Sequence, residues 1–170
     1  ANPFGRISPT TAQHVLDDYN GSVPVVDGGL CPVGLESTIL DLSTELPSVR
    51  RLGAITKEDL APFIPQFGQS STKTSGTHKA HYAPSTALLL SNNLEEERKT
   101  WLEKGCTVAV LNIADSTEYA QQLYSELRRL DQLGVDILIA AKPKNDAMGE
   151  AILDRLTRAS YGSTHPDTKN

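Results

Sequence analysis

Three short, mostly apolar runs, each followed by a capped amphipathic stretch, restrict the second half of this chain to very few folds. Ala87–Leu90, Val108–Leu111 and Val135–Ala140 have the length of strands and are bounded by polar residues. Asn93, with Glu96 at the capping-box position, opens a helix over Leu94–Lys104 that Gly105 ends. Asp115 with Glu118 opens a second, which carries Ala120, Leu123, Leu127 and Leu130 on one face and ends at Gly134. Met148–Ala159 is a third, with Ala151, Ile152, Arg155 and Leu156 in its stripe. Alternation of this kind implies a small parallel sheet flanked by helices. The tail from Tyr161 is expected to fray. No Gly-rich turn follows the first strand, and there is no Walker sequence and no cluster of metal ligands. This half is therefore expected to close over or regulate a site rather than form one. Asp136 and Asp154 read as solvated or capping charges.

The first half reads differently. Ser8 with Pro9 suggests a helix start, with Ala12, Val15, Leu16 and Tyr19 on one face. Val23–Asp27 is expected to be a short strand, Pro24 marking an edge or a strand start because it cannot donate to a ladder. A loop dense in Gly and Pro over 28–34 leads into a strand over 36–42, whose head carries Glu36, Ser37 and Thr38 where a core strand would be apolar. A strand over 48–51 and a short helix capped by Thr56, with Glu58 and Asp59 in its first turn, complete a largely antiparallel or mixed sheet. Between the halves, 65–85 is rich in Gly, Ser and Thr and has the composition of a linker.

Composition excludes several functions. A formal net charge of -5 provides no basic footprint, so strong direct nucleic-acid binding is not expected. Two distant cysteines, Cys31 and Cys106, make neither a disulfide framework nor a zinc site, and suggest reduced thiols in the cytoplasm. No apolar run approaches the roughly 20 residues of a spanning helix, so no membrane role is expected. The chain opens at Ala1-Asn2-Pro3, without Met and inside a turn, and reads as the later part of a longer protein.

Four polar elements carry the chemistry: Asn-Pro-Phe-Gly-Arg-Ile-Ser-Pro-Thr at 2–10, Gly-Leu-Glu-Ser-Thr-Ile-Leu-Asp-Leu at 34–42, Val49-Arg50-Arg51-Leu52-Gly53, and His-Tyr-Ala-Pro at 81–84. Hydroxyls, a carboxamide, guanidinium groups and a phenol on loops and strand ends suit a small ligand bearing phosphates. In this order they resemble the C-terminal portion of the threonylcarbamoyl-AMP synthases, the two-domain members of the YrdC-like family. That resemblance implies an α/β architecture: 1–64 as part of a YrdC-like twisted sheet domain, 65–85 as an interdomain linker, and 86–160 as a small Rossmann-like, three-layer parallel domain with a tail over 161–170. It implies a reaction joining L-threonine, bicarbonate and ATP into threonylcarbamoyl-AMP and pyrophosphate, with magnesium accompanying ATP. Proteins that transfer the threonylcarbamoyl group to tRNA would be the partners.

The same resemblance assigns residues. Asn2, Ser8, Arg51 and Tyr82 match ATP contacts, and Ser37 matches a threonine contact. His81 beside Tyr82 is either a linker contact or a solvated histidine. Ser8 serves equally as a helix cap, and Ser37 as a strand hydroxyl bonded to backbone. Arg51 departs from the family's Leu-Arg-Pro-Gly pattern, since Leu52 stands where Pro is expected. No residue is assigned as a catalytic nucleophile, because attack by a carbamate on the α-phosphate asks for positioning and cationic stabilisation. Two other readings remain at this level: a module that senses a nucleotide without turnover, and an RNA-binding module.

Overall fold

The computed structural model describes residues 2–69 and 78–163. In chain order its elements are α1 (Ala12–Asp18), β1 (Ile39–Asp41), β2 (Ser48–Arg51), α2 (Lys57–Leu60), β3 (Ala87–Ser91), α3 (Leu94–Glu103), β4 (Val108–Leu111), α4 (Ser116–Asp131), β5 (Ile137–Ala141) and α5 (Ala147–Gly162).

The second half folds as its alternation requires. Its sheet is parallel, in the order β3-β5-β4, with Leu88 opposite Leu138 and Val110 opposite Ile139. The central strand explains its own composition. Ile137 and Ile139 point to one face and pack with Trp101 of α3, while Leu138 and Ala140 point to the other and meet the stripe of α4 and α5. Helix α4 buries Tyr119, Ala120, Leu123, Tyr124, Leu127 and Leu130 at helical spacing. Asp115 accepts from the Glu118 amide at 2.9 Å, as the cap pattern predicts. In α3 the Asn93 side chain accepts from the Glu96 amide, and Gly105 takes the left-handed angle, φ +81°, that ends the helix. Helix α5 runs on through Tyr161 to Gly162, so the expected fraying does not begin there; residues 164–170 lie outside those described.

The first half departs further from expectation. Val23–Asp27 forms no strand: among the described residues it has no ladder partner, and Val26 is 97 % exposed. The strand expected over 36–42 is confined to β1, leaving Glu36, Ser37 and Thr38 in the loop before it. Thr11 rather than Ser8 caps α1, accepting from the His14 amide at 3.1 Å, because the helix begins two residues after Thr10. The expected face of α1 is not buried either. The pair β1-β2 is antiparallel, and Thr56 caps α2 as read, with Asp59 completing a capping box. Of the 65–85 segment, 70–77 lie outside the described residues. His81–Pro84 is no solvated linker, for Tyr82, Ala83 and Pro84 are buried and Tyr82 belongs to the main core with Ile7.

Candidate functional site

Glu36 is the polar centre of the molecule. Its Oε1 accepts from the Ser8 hydroxyl at 2.5 Å, and its Oε2 accepts from the Tyr124 phenol at 2.8 Å and from Arg155 Nε at 3.0 Å. Burial alone would push this carboxyl up. The Ser8 hydroxyl and the Arg155 guanidinium outweigh it and hold Glu36 below the usual glutamate range. Burial next to this carboxylate pushes the Tyr124 phenol well above its ordinary value, so it remains a donor. Arg155 is only 1 % exposed, yet every arm of its guanidinium is engaged: Nη1 donates to Asp154 Oδ2 at 3.0 Å and Nη2 to the Leu52 carbonyl at 2.6 Å. Asp154 is thus held between Arg155 and Arg158 and is neither a cap nor a free surface charge. Asp136 does cap a chain segment, accepting from the Thr107 amide and hydroxyl.

Two recesses adjoin this centre. A cavity of about 280 Å³ is lined by Asn2, Ser8, Cys31, Leu35, Glu36 and Tyr124, among others. Its floor depends on Gly34, which sits at φ +77°: a Cβ there would lie 2.4 Å from the Ala120 and Gln121 carbonyls of α4, so the loop could not dock as closely with a larger residue. A second recess of about 200 Å³ is lined by Arg50, Arg51, Leu52, Lys57, Asp154 and Arg158. Arg50, Lys57 and Arg158 pair with Asp41, Glu150 and Asp154, and Arg51 sits among them.

The expected site residues divide between them. Asn2 and Ser8 line the first recess, where Asn2 also ties its own loop by donating to the Arg6 carbonyl at 3.0 Å. Arg51 lines the second and donates to the Ser37 carbonyl at 2.9 Å and the Ser37 hydroxyl at 3.2 Å. Ser37 is exposed between the two recesses, one residue from Glu36. The β1-β2 register shifts at these neighbouring arginines; both line the second recess, but Arg50 is taken up in an ion pair with Asp41 at 3.3 Å. Tyr82 lines neither recess. It lies 1 % exposed, in a left-handed backbone conformation (φ +61°), stacked on Tyr124, with the Arg155 guanidinium over its ring 5.5 Å from the centroid. Among the described residues its hydroxyl has no hydrogen-bond partner, and burial pushes the phenol up. His81 packs edge-on against Tyr82 and Phe4, and burial pulls its imidazole down.

Contact by contact, the four polar elements form one assembly. The Ala83 amide donates to the Gly5 carbonyl at 2.8 Å, Ser8 reaches Glu36, Arg51 reaches Ser37, and Tyr82 reaches Glu36 through Tyr124. Glu36, Tyr124 and Arg155 were not assigned from sequence. One signal was legible: Arg155 falls inside the apolar stripe of α5, and an arginine there must be paired. Among the described residues no three His, Cys, Asp or Glu side chains form a group able to hold a metal ion. They offer magnesium no protein cage.

A family model described as the threonylcarbamoyl-AMP synthase C-terminal domain matches residues 55–160. The chain is 30 % identical over 190 residues to the threonylcarbamoyl-AMP synthase of Pyrococcus abyssi, covering 94 % of this chain and 56 % of that protein. It is 31 % identical over 193 residues to the Bacillus subtilis enzyme of the same name, covering 95 % and 56 %. For that of Schizosaccharomyces pombe the figures are 28 % over 206 residues, covering 94 % and 50 %. The chain thus spans about half the length of the curated relatives it matches. Among solved structures, the crystal structure of P. abyssi Sua5 complexed with L-threonine aligns with a TM-score of 0.81 at 28 % identity, covering 96 % of this chain and 58 % of that one. A variant of that protein with an adjacent His and Tyr both replaced by Ala aligns at 0.79 and 26 % identity, covering 96 % and 57 %.

Proposed function

Because this chain belongs to the threonylcarbamoyl-AMP synthase C-terminal domain family, we propose that it serves in a nucleotidyltransferase that forms threonylcarbamoyl-AMP and pyrophosphate from L-threonine, bicarbonate and ATP. The observation that carries this reading is the joining of the four polar elements around Glu36, in a chain that aligns over 96 % of its length with a protein solved with L-threonine. Asn2, Ser8 and Arg51 are assigned to ATP and Ser37 to threonine. The recess beside Arg51 suits phosphate oxygens, on which charge builds as the carbamate attacks the α-phosphate. Tyr82 is assigned to ATP as well, and from its buried position it would have to turn toward the nucleotide to make that contact. Magnesium arrives on the phosphates of ATP, as is usual for this ion.

Cytoplasmic action suits the two free cysteines, and no helix among the described residues is long and apolar enough to cross a membrane. Consumers of the product would be proteins that transfer the threonylcarbamoyl group to tRNA. A nucleotide sensor without turnover would keep the same site, so detection of product is the test. The full-length gene product is incubated with ATP, threonine and isotopically labelled bicarbonate. Labelled threonylcarbamoyl-AMP is the expected product. ATP binding with no labelled product would favour the sensor.

A further inference from the structure

Two arginines of the second half grip all three first-half segments that carry the proposed ligand contacts. Arg155 of α5 binds the Glu36 carboxylate, one residue before Ser37, and the Leu52 carbonyl, one residue after Arg51. Arg128 of α4 donates through Nε to the Ser8 carbonyl at 3.2 Å and through Nη2 to the Ile7 carbonyl at 2.5 Å. Its guanidinium also forks onto Asp18 at 2.9 and 2.7 Å, which fixes its orientation. Each of these bonds spans more than a hundred residues of sequence. Lysine, a point charge on a flexible stem, cannot reproduce such divergent planar contacts.

The segments so held lie outside regular secondary structure and depend on side-chain contacts of this kind. Glu36, Ser37 and Thr38 precede β1, Leu52 and Gly53 follow β2, and Ile7–Ser8 lie outside any helix or strand. Gly53 brings the two site loops together: a Cβ at that position would lie 2.4 Å from the Glu36 carbonyl and 2.5 Å from the Thr38 nitrogen. The Arg155 fork bonds both of these closely packed loops, beside the direct Arg51–Ser37 contact. We infer that Arg155 and Arg128 are positioning residues, by which the second half holds the Ser8, Ser37 and Arg51 segments in ligand-binding register. The inference rests on the proposed function for the roles of those three residues, and on the contacts above for the grip itself.

The test uses Arg155→Lys and Arg128→Lys in the full-length protein, with Arg155→Met as the variant that also removes the charge. Melting temperature, KM for ATP and threonine, kcat, and amide hydrogen exchange are measured on each. The lysine variants keep a cation near Glu36 or Asp18 and are expected to melt close to the wild type. KM for at least one substrate should nevertheless rise about tenfold or more, the scale of a lost charged hydrogen bond. Exchange should quicken at 36–38 and 52–53 in Arg155→Lys and at 7–8 in Arg128→Lys, with Ile137–Ala141 unchanged. A purely structural arginine would instead lower the melting temperature and leave KM of the folded protein alone. Wild-type KM and wild-type exchange in both lysine variants would overturn the inference. Should Arg155→Lys fail to fold, Arg128→Lys decides it. If the wild-type protein shows no threonine-dependent turnover, the proposed function fails, and local exchange then decides whether the arginines hold these segments.

Discussion

Arg50 and Arg51 show how much a single position settles. Both are cationic, adjacent and at the same recess, but Arg50 is paired with Asp41 while Arg51 reaches Ser37. Arg51→Ala in the full-length protein should therefore raise the ATP concentration needed for half-maximal activity by about 1.5–3 kcal/mol, on the order of ten- to a hundredfold. Arg50→Ala should lower the melting temperature and leave the ATP requirement nearly unchanged. Equal ATP effects would show that the Asp41 pair does not set Arg50 apart from Arg51. Glu36 supplies a pH prediction. Its carboxyl is held below its ordinary value in the folded state, so the stability it contributes is present above the unfolded glutamate range and is lost as pH falls through the folded value. His81, held down by burial, contributes in the same sense over a higher window, below the ordinary histidine range. Melting temperature should thus fall in two stages on acidification. Glu36→Gln should reduce the lower stage, and His81→Ala the upper one, which His14, also held down by burial, shares. Glu36 was visible in the sequence as a charge at the head of a strand, but its partners lie 28, 88 and 119 residues away. No local pattern reports such a convergence.

At the scale of elements, caps and stripes were legible because they are local. Asn93, Thr56 and Asp115 cap as their positions predict, and α4 buries the stripe read from its spacing. Strand character was legible only where a partner exists. Val23–Asp27 has the right side chains, but a strand's backbone groups need a ladder, and without one the segment stays irregular. Ser8 looked like a cap because a hydroxyl before proline usually is one; its hydroxyl instead serves Glu36, and Thr11 takes the helix. Gly53 gives the element-scale prediction. A methyl at this position must displace backbone of the 36–38 loop, so Gly53→Ala should cost about 1–3 kcal/mol in chemical denaturation, the usual penalty of overpacking. A neutral substitution would mean that the two loops separate freely.

For the whole molecule, the division into two halves read from sequence understates their union. The parallel sheet of the second half shares its core with Ile7 and Tyr82, and Leu35 packs against the same cluster. Tyr124, Arg128 and Arg155 project from its helices into the polar centre. A half that lacks every sequence signature of a site thereby supplies much of the site's frame. The local signals of the second half agree with one another more closely than those of the first. Hydrogen exchange on the 170-residue chain should accordingly show strong protection over 86–156 and weak protection over 20–55; uniform protection would contradict that ranking. The central claim, that this assembly serves threonylcarbamoyl-AMP synthesis, is tested most directly by pyrophosphate release from ATP and bicarbonate by the full-length protein, with and without L-threonine. The account predicts release that requires threonine and is lost with Arg51→Ala at limiting ATP. Release from ATP alone, indifferent to threonine, would contradict it.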